Sequence, residues 1–330
     1  MKKILNSPST IVEETLEGFA GLFSTRVAHV AGTHIIERRR PKEPGKVRFM
    51  MGNGAGHEPA VIGWVGEGMF DLNVAGEIFT APPAQDILAG IERLCAGGPV
   101  LLAVQNHAGD VLNAGTAVER ASQRGLPVTS VLFYDDIASA PKGKETERRG
   151  MAGMLFYTKI VGAAAERGKD VPELVRLFEK CRDQTRTFAV AITNCTNPIT
   201  GLAMFDHLGQ DEIELGLGVH GDSSGNIVKL PTAAGLVDLM VETVLNDYGI
   251  GRGDDVLVFV NGAGSTTMME LCIYYRELKR RLSDLGINIR GAKAGNYLTT
   301  QELSGISLSL CRVDREMLEL WNDPCDVGFF

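Results

Sequence analysis

The chain reads as an α/β protein of two α/β domains, each with a mainly parallel or mixed sheet flanked by helices. The reading rests on alternation, length and glycine content. Short apolar runs that stop at glycine or polar turns alternate with longer stretches of helical periodicity, the pattern of β-α-β units. At roughly 150 residues per domain, 330 residues make about two cores. Glycine supplies 39 residues, well above the usual ~7%, which suits many tight turns and close backbone approaches.

Taken in order, residues 46–51 form an apolar strand ending in a glycine-rich turn, 99–104 a strand ending at Gln105-Asn106, and 127–133 a strand ending at Asp135-Asp136. Between them, 83–96 and 112–124 carry the apolar spacing of amphipathic helices, and right-handed crossovers place such helices on both faces of a parallel sheet. Residues 150–186 read as helices, with 171–183 the second, and 188–192 open a new strand. Further on, 212–219 and 255–260 are strands running into polar glycine loops, 230–246 and 267–285 are long amphipathic helices, and 305–313 is a last strand. A boundary near Arg186 divides the chain into domains 1–186 and 187–330.

With 44% hydrophobic and 22% charged residues, the composition is that of a packed globular protein rather than a disordered one. The 33 basic and 41 acidic residues leave a net charge of −8, so no general positive field exists to attract nucleic acid or an anionic membrane. The densest basic run, Arg38-Arg39-Arg40 with Lys42, reads as a solvated loop before a strand. No stretch approaches the roughly 18 apolar residues of a membrane span, and the amino-terminal residues lack a signal peptide's apolar core. A cytoplasmic protein is expected. The six cysteines show neither a C-x-x-C pair nor metal-ligand spacing, so they read as small buried hydrophobes and no metal site is expected.

Three loops carry candidate chemistry. In the turn Gly52-Asn53-Gly54-Ala55-Gly56-His57-Glu58-Pro59, the glycines let backbone amides approach a small oxygen-rich ligand, and the turn delivers His57 at a strand's carboxyl end, the usual ligand site of open sheets. The run is G-x-G-x-G rather than G-x-G-x-x-G, and no G-x-x-x-x-G-K-[ST] occurs anywhere, which disfavours both common nucleotide sites. In Gln105-Asn106-His107-Ala108-Gly109-Asp110, Asp110 is either the cap of the next helix or a general base toward a hydroxyl. In Gly218-Val219-His220-Gly221, the histidine has little cover from its neighbours, which suits a reactive imidazole and equally a plain surface loop. His29, His34 and His207 read as surface or core residues.

Together the loops resemble the K subunit of the dihydroxyacetone kinases. The likeness runs from Met1-Lys2-Lys3 to Leu320-Trp321 and includes Gly56-His57-Glu58-Pro59, Gly76-Glu77-Ile78-Phe79-Thr80, Asn106 with Gly109-Asp110, Arg148-Arg149-Gly150, the segment 162–168, and Gly218-Val219-His220-Gly221. The resemblance implies a homodimer that holds dihydroxyacetone, or a related short ketose, as a covalent hemiaminal on His220. Neutral imidazole is the nucleophile there, so the bond weakens as the ring protonates. It further implies that His57 hydrogen-bonds the substrate and assists proton transfer, that Asp110 is the base on the attacking hydroxyl, and that Gly54 and Gly56 with Gln105, Asn106 and His107 line the ketose. Covalency compensates for size: about six heavy atoms, at a ceiling of about 1.5 kcal/mol each, limit non-covalent binding to about −9 kcal/mol.

By the same resemblance this chain carries no nucleotide. ADP or ATP with Mg belongs to a helical L subunit, and a phosphotransferase-system protein is a further possible donor, so the chain by itself is expected to be inactive as a kinase. Two departures stand out. Asn53 and Ala55 interrupt the family's glycines, and Gln105 replaces a lysine whose charge could neutralise developing phosphoryl charge. These changes fit a four-carbon ketose or altered phosphate chemistry. They also keep open a non-catalytic ketose-binding co-activator or sensor, and, less readily, a carrier phosphorylated on His57 or His107. Retained Asp110 favours the kinase subunit.

Overall fold

The computed structural model describes residues 2–222 and 224–330. The chain forms two compact units, and neither is continuous in sequence: the first comprises Lys2–Phe133, Tyr157–Cys181 and Glu319–Phe330, the second Tyr134–Phe156 and Arg182–Leu318. The single boundary read from sequence at 186 is thus replaced by crossings after Phe133, Phe156, Cys181 and Leu318. An apolar helix shows in sequence that it is buried but not on which sheet, which is why this exchange leaves no mark in the pattern of residues.

In the first unit, α1 (Ile11–Leu22) is followed by β1 (Val27–Val30), β2 (Ile35–Arg38), β3 (Arg48–Ala55), β4 (Gly66–Glu67), β5 (Leu72–Ile78), α2 (Ala84–Cys95), β6 (Val100–Gln105), α3 (Ala108–Gln123) and β7 (Val128–Phe133). The sheet order is β1-β2-β5-β3-β6-β7, with β5, β3, β6 and β7 parallel and β1 and β2 antiparallel. One face buries Met50, Leu72, Val74 and Leu102 under α2 and α3, where Ile91, Ala114 and Ala117 meet them. Helix α2 lies very close, because a Cβ on Gly90 would stand 2.9 Å from Val74 Cγ2. On the other face Phe133 and Phe178 each pack against Tyr157, with ring centroids 4.5 Å apart. Covering both faces is what a parallel sheet of near-continuous apolar strands demands.

The chain continues through α4 (Met154–Glu166) and α5 (Val171–Asp183) to β8 (Thr185–Ala191), β9 (Glu212–Leu215), β10 (Ile227–Lys229), α6 (Ala233–Tyr248), β11 (Asp255–Gly262), α7 (Met268–Asp284), β12 (Asn288–Gly295), β13 (Gly305–Arg312), α8 (Arg315–Trp321) and β14 (Asp326–Val327). The second unit's sheet runs β10-β9-β8-β13-β11-β12, and only β11 and β12 pair in parallel. Helices α6 and α7 bury Val237, Met240, Val244, Leu271, Leu278 and Leu282 against it, at the spacing of a helix face. Helix α7 begins with a capping box between Thr267 and Glu270, and α6 ends at Gly249 with φ 72°. Strand β14 returns to the first unit and pairs with β4.

Candidate active site

Parallel strands β3, β5 and β6 end on one side of their sheet, and the turns that follow them carry the first unit's candidate residues. The turn after β3 is held open by glycine. Gly56 has φ 100°, and a Cβ there would lie 2.7 Å from Phe79 Cε1; a Cβ on Gly54 would lie 2.8 Å from the backbone nitrogen of Thr80. Both glycines are therefore demanded by the turn after β5, independently of any ligand. The Gly56 N–H donates to the Glu58 carboxylate at 3.0 Å, and burial pushes the Glu58 carboxyl up from its ordinary range. His57 is buried at 6% exposure, and its ring lies 5.1 Å from that of Phe79.

The turn after β6 carries the first unit's remaining candidate residues. Gln105 is buried, the Asn106 N–H donates to the Phe133 carbonyl at 3.0 Å, and His107 is the N-cap residue of α3 without a capping side-chain bond. Asp110 stands in the first turn of α3, whose N-cap residue is His107, so it is not itself the N-cap of that helix. One of its carboxylate oxygens, Oδ1, is buried with no hydrogen-bond partner. Burial raises its pKa to about 7, outweighing the bond from its own N–H. The positive end of the helix works in the same direction as that bond, so loss of solvent is the larger effect. A carboxylate poised near neutral pH at a strand's carboxyl end is suited to take a proton from a hydroxyl.

Of the departures from the familiar pattern, Asn53 is wired into the sheet. Its Nδ2 donates to the Gly54 carbonyl at 2.8 Å and its Oδ1 accepts from Asn73 at 2.7 Å, so the amide holds the glycine turn from below.

His220 belongs to the second unit, in the connection from β9 to β10. The Gly221 N–H donates to the Gly218 carbonyl at 3.0 Å, closing a turn over Val219 and His220, and Thr300 Oγ1 donates to the Val219 carbonyl at 2.8 Å. Two buried carboxylates hold this connection. Glu214, wholly buried, accepts the N–H groups of Ser224 at 2.6 Å and Gly225 at 3.0 Å, while its other oxygen lies 2.6 Å from His207 Nε2. Asp136, 1% exposed, anchors Arg149 at 2.8 Å, and Arg149 reaches Asp222 at 3.2 Å. A Cβ on Gly218 would stand 2.2 Å from the Arg149 guanidinium, so a side chain there would have to displace Arg149 from its present position. Beneath the turn, Leu217, Gly218, Val219 and Thr300 border a cavity of about 30 Å³, room for about one water.

His207, Glu214 and Phe79 went unrecognised in the sequence because their roles depend on contacts across the fold. For Arg149 and Phe79 the only signal was membership in the runs Arg148-Arg149-Gly150 and 76–80. Among the described residues no group of three or more His, Cys, Asp or Glu side chains is placed to hold a metal ion, and no helix is long and apolar enough to cross a membrane.

The Dak1 domain matches residues 17–329 of the chain. The dihydroxyacetone-binding subunit DhaK of a PTS-dependent dihydroxyacetone kinase from Listeria innocua is 38% identical over 328 residues, 99% of each chain. A D-erythrulose kinase from Mycolicibacterium smegmatis is 36% identical over 99% of this chain but only 56% of its own length, so the chain spans little more than half of that relative. Among solved structures, a dihydroxyacetone kinase operon co-activator, Dha-DhaQ, superposes with a TM-score of 0.90 at 29% identity, covering 96% of this chain and 97% of its own.

Proposed function

The chain belongs to the Dak1 family of dihydroxyacetone kinase subunits, and from that premise we propose that it is the ketose-binding subunit of a kinase. It captures dihydroxyacetone or a related short ketose on His220 and presents a hydroxyl for phosphoryl transfer. The unprotonated ring nitrogen of His220 adds to the substrate carbonyl: a C–N bond forms and the carbonyl π pair moves to oxygen. That oxygen takes up a proton while the imidazole gives one up from its other nitrogen, leaving a neutral hemiaminal. His57 hydrogen-bonds the substrate and assists these transfers. Asp110 then accepts the proton of the hydroxyl that attacks phosphorus.

The observation that carries the reading is the state of Asp110: a buried carboxyl with a pKa of about 7 and a bare oxygen. A site that only binds or reports a ketose has no use for such a base. The phosphoryl group comes from ATP with Mg on a helical partner subunit, either exchangeable ATP or ATP re-formed in place from bound ADP by a phosphotransferase-system protein. The lack of a P-loop sequence here and the additional length of the erythrulose kinase support that assignment.

Rapid mixing with dihydroxyacetone followed by intact-protein mass spectrometry tests the capture. An adduct is expected in the native chain and none in His220→Ala; an adduct that survives the substitution overturns the assignment. Phosphorylated product formed by the single chain with ATP would overturn the need for a partner.

A second reading is favoured by Gln105, which puts a neutral amide where the resemblance expects lysine, and by the likeness to the co-activator. It predicts an adduct but no phosphoryl transfer when a nucleotide-bearing helical subunit is added.

A further inference from the structure

The basic run 38–42 is solvated only in part: Arg39 and Arg40 are exposed, as its sequence suggests, but two of its cations are not. Arg38 and Lys42 are buried, at 8% and 5% exposure, and with Arg39, Arg48 and Arg93 they border a cavity of about 560 Å³ in the first unit. That size is in the range of small-molecule sites. Asp71 binds Arg38 at 3.0 Å and Lys42 at 2.6 Å, Glu166 also binds Arg38, and Glu37 holds Arg93.

Among the described residues, two of these cations have no carboxylate within ion-pair distance. The Arg39 guanidinium donates to the Ser24 carbonyl at 3.1 Å. Arg48 is 5% exposed; its Nη2 donates to the carbonyls of Lys42, Glu43 and Gly97 at 2.9, 3.1 and 3.2 Å, and its Nη1 is buried without a partner.

A buried guanidinium with no counter-charge is costly unless something of opposite sign comes near. The carboxyl end of α2, at the cavity's edge, contributes at most about half a negative charge. Set against the cations, that and the three carboxylates leave a surplus of between about one and two positive charges, in a chain whose net charge is −8.

We propose that this cavity is a binding site for a small phosphate-bearing dianion, separate from the ketose site. The guanidinium fork of exposed Arg39 meets the phosphate, Arg93 lies at the same wall, and Arg48 supplies positive field from behind without touching the ion. Arg48 opens β3 and Ala55 closes it, so the cavity and the His57 turn lie at opposite ends of one strand, about 23 Å apart. A ligand here would act at a distance from the chemistry.

Calorimetric titration of the full chain at constant ionic strength, with inorganic phosphate in one arm and glycerol 3-phosphate in the other, tests the site. Saturable binding of one or both is expected, and the tighter arm identifies the source. Arg39→Gln should weaken binding at least tenfold, Arg48→Met should weaken it as well, and Arg48→Lys, which keeps the charge, should retain it within about threefold. The double variant Asp110→Asn, His220→Ala should bind as the native chain does. No saturable binding in either arm overturns the proposal. So does binding that Arg39→Gln leaves unchanged, or binding that the double variant abolishes; if Arg48→Met fails to fold, Arg39→Gln alone decides.

Discussion

Gly56 lies beneath Phe79 with no room for a side chain between them, and the same Phe79 ring rests on the imidazole of His57. The glycine, the aromatic ring and the histidine are one mechanical unit. A methyl group on Gly56 must push Phe79 away or unwind a backbone at φ 100°, which costs an L-residue about 1–2 kcal/mol by itself. Gly56→Ala should therefore destabilise the chain by roughly that amount or more. It should also lower ketose affinity at least tenfold, because the ring that seats His57 moves. Denaturant unfolding and ligand titration on the same preparation check both effects, and a stable variant with native affinity would break the link.

Asp110 predicts a pH dependence of defined sign. As a base it must be ionised, so transfer measured with the partner subunit should rise with pH and level off above about 7, the pKa set by burial. Stability runs the other way. The folded carboxyl holds its proton more tightly than the unfolded one, so its contribution is full below the ordinary aspartate pKa and is lost as pH rises through about 7. Asp110→Asn should abolish transfer and spare ketose binding. It should also be more stable than the native chain at pH 8, by on the order of 2–4 kcal/mol, with the difference vanishing near pH 4. Thermal unfolding at the two pH values measures it.

Glu214 holds the connection that carries His220 by accepting two backbone N–H groups, so in the proposed capture its part is positional. Glu214→Gln leaves a weaker, neutral acceptor for the two N–H groups that Oε1 receives and sets an amide NH2 against His207 Nε2, at a cost of about 1–3 kcal/mol. The adduct should form at least tenfold more slowly in rapid-mixing mass spectrometry while its final mass is unchanged. An unaltered rate in a folded variant would remove Glu214 from this role.

Arg148 illustrates a motif residue whose task is structural. It is 1% exposed and binds Asp247 with both terminal nitrogens, at 2.9 and 2.5 Å, and Arg186 joins at 2.7 Å. Burial works to raise the Asp247 pKa, but the bonds from Arg148 and Arg186 hold it below the usual range. Arg148→Met should cost about 1.5–3 kcal/mol, since charge-assisted hydrogen bonds are lost while Asp247 keeps Arg186 as its partner. Because the depressed pKa contributes stability that is lost as pH falls, the native chain's advantage over this variant should shrink in acid. Urea unfolding at pH 7 and pH 3 tests the sign.

Much of the architecture was legible because the relevant physics is local. Strands β3, β6 and β7 are apolar runs stopped by glycine or polar turns, and α2, α3, α6 and α7 carry their buried faces at helical spacing, so their positions could be read from residue order. Strand β12 was not visible, since its residues 288–295 alternate between exposed and half-buried and contain two glycines. The same division applies at the site. His57, Asp110 and His220 stood out because unusual turn chemistry surrounds them. Glu214 and His207, seven residues apart, meet only because β9 and the loop before it fold together, and Arg149 meets Asp222 across 73 positions. The basic run 38–42 misled at Arg38 and Lys42 for a related reason: their partners, Asp71 and Glu166, lie far along the chain.

The exchange of chain between the two units sets an order on biosynthesis. Translation delivers the six strands of the first sheet by Phe133, but the aromatic face is uncovered until Tyr157 and Phe178 emerge. Lys159, buried on α4, finds the Leu320 carbonyl as its acceptor, and β4 finds its partner only with Asp326-Val327. The unit that begins first is thus completed last, after the whole of Arg182–Leu318 has left the ribosome. A fragment cut at residue 186 would lack both β14, which pairs with β4, and the Leu320 carbonyl that accepts from Lys159. The first unit is therefore completed only by residues 319–330.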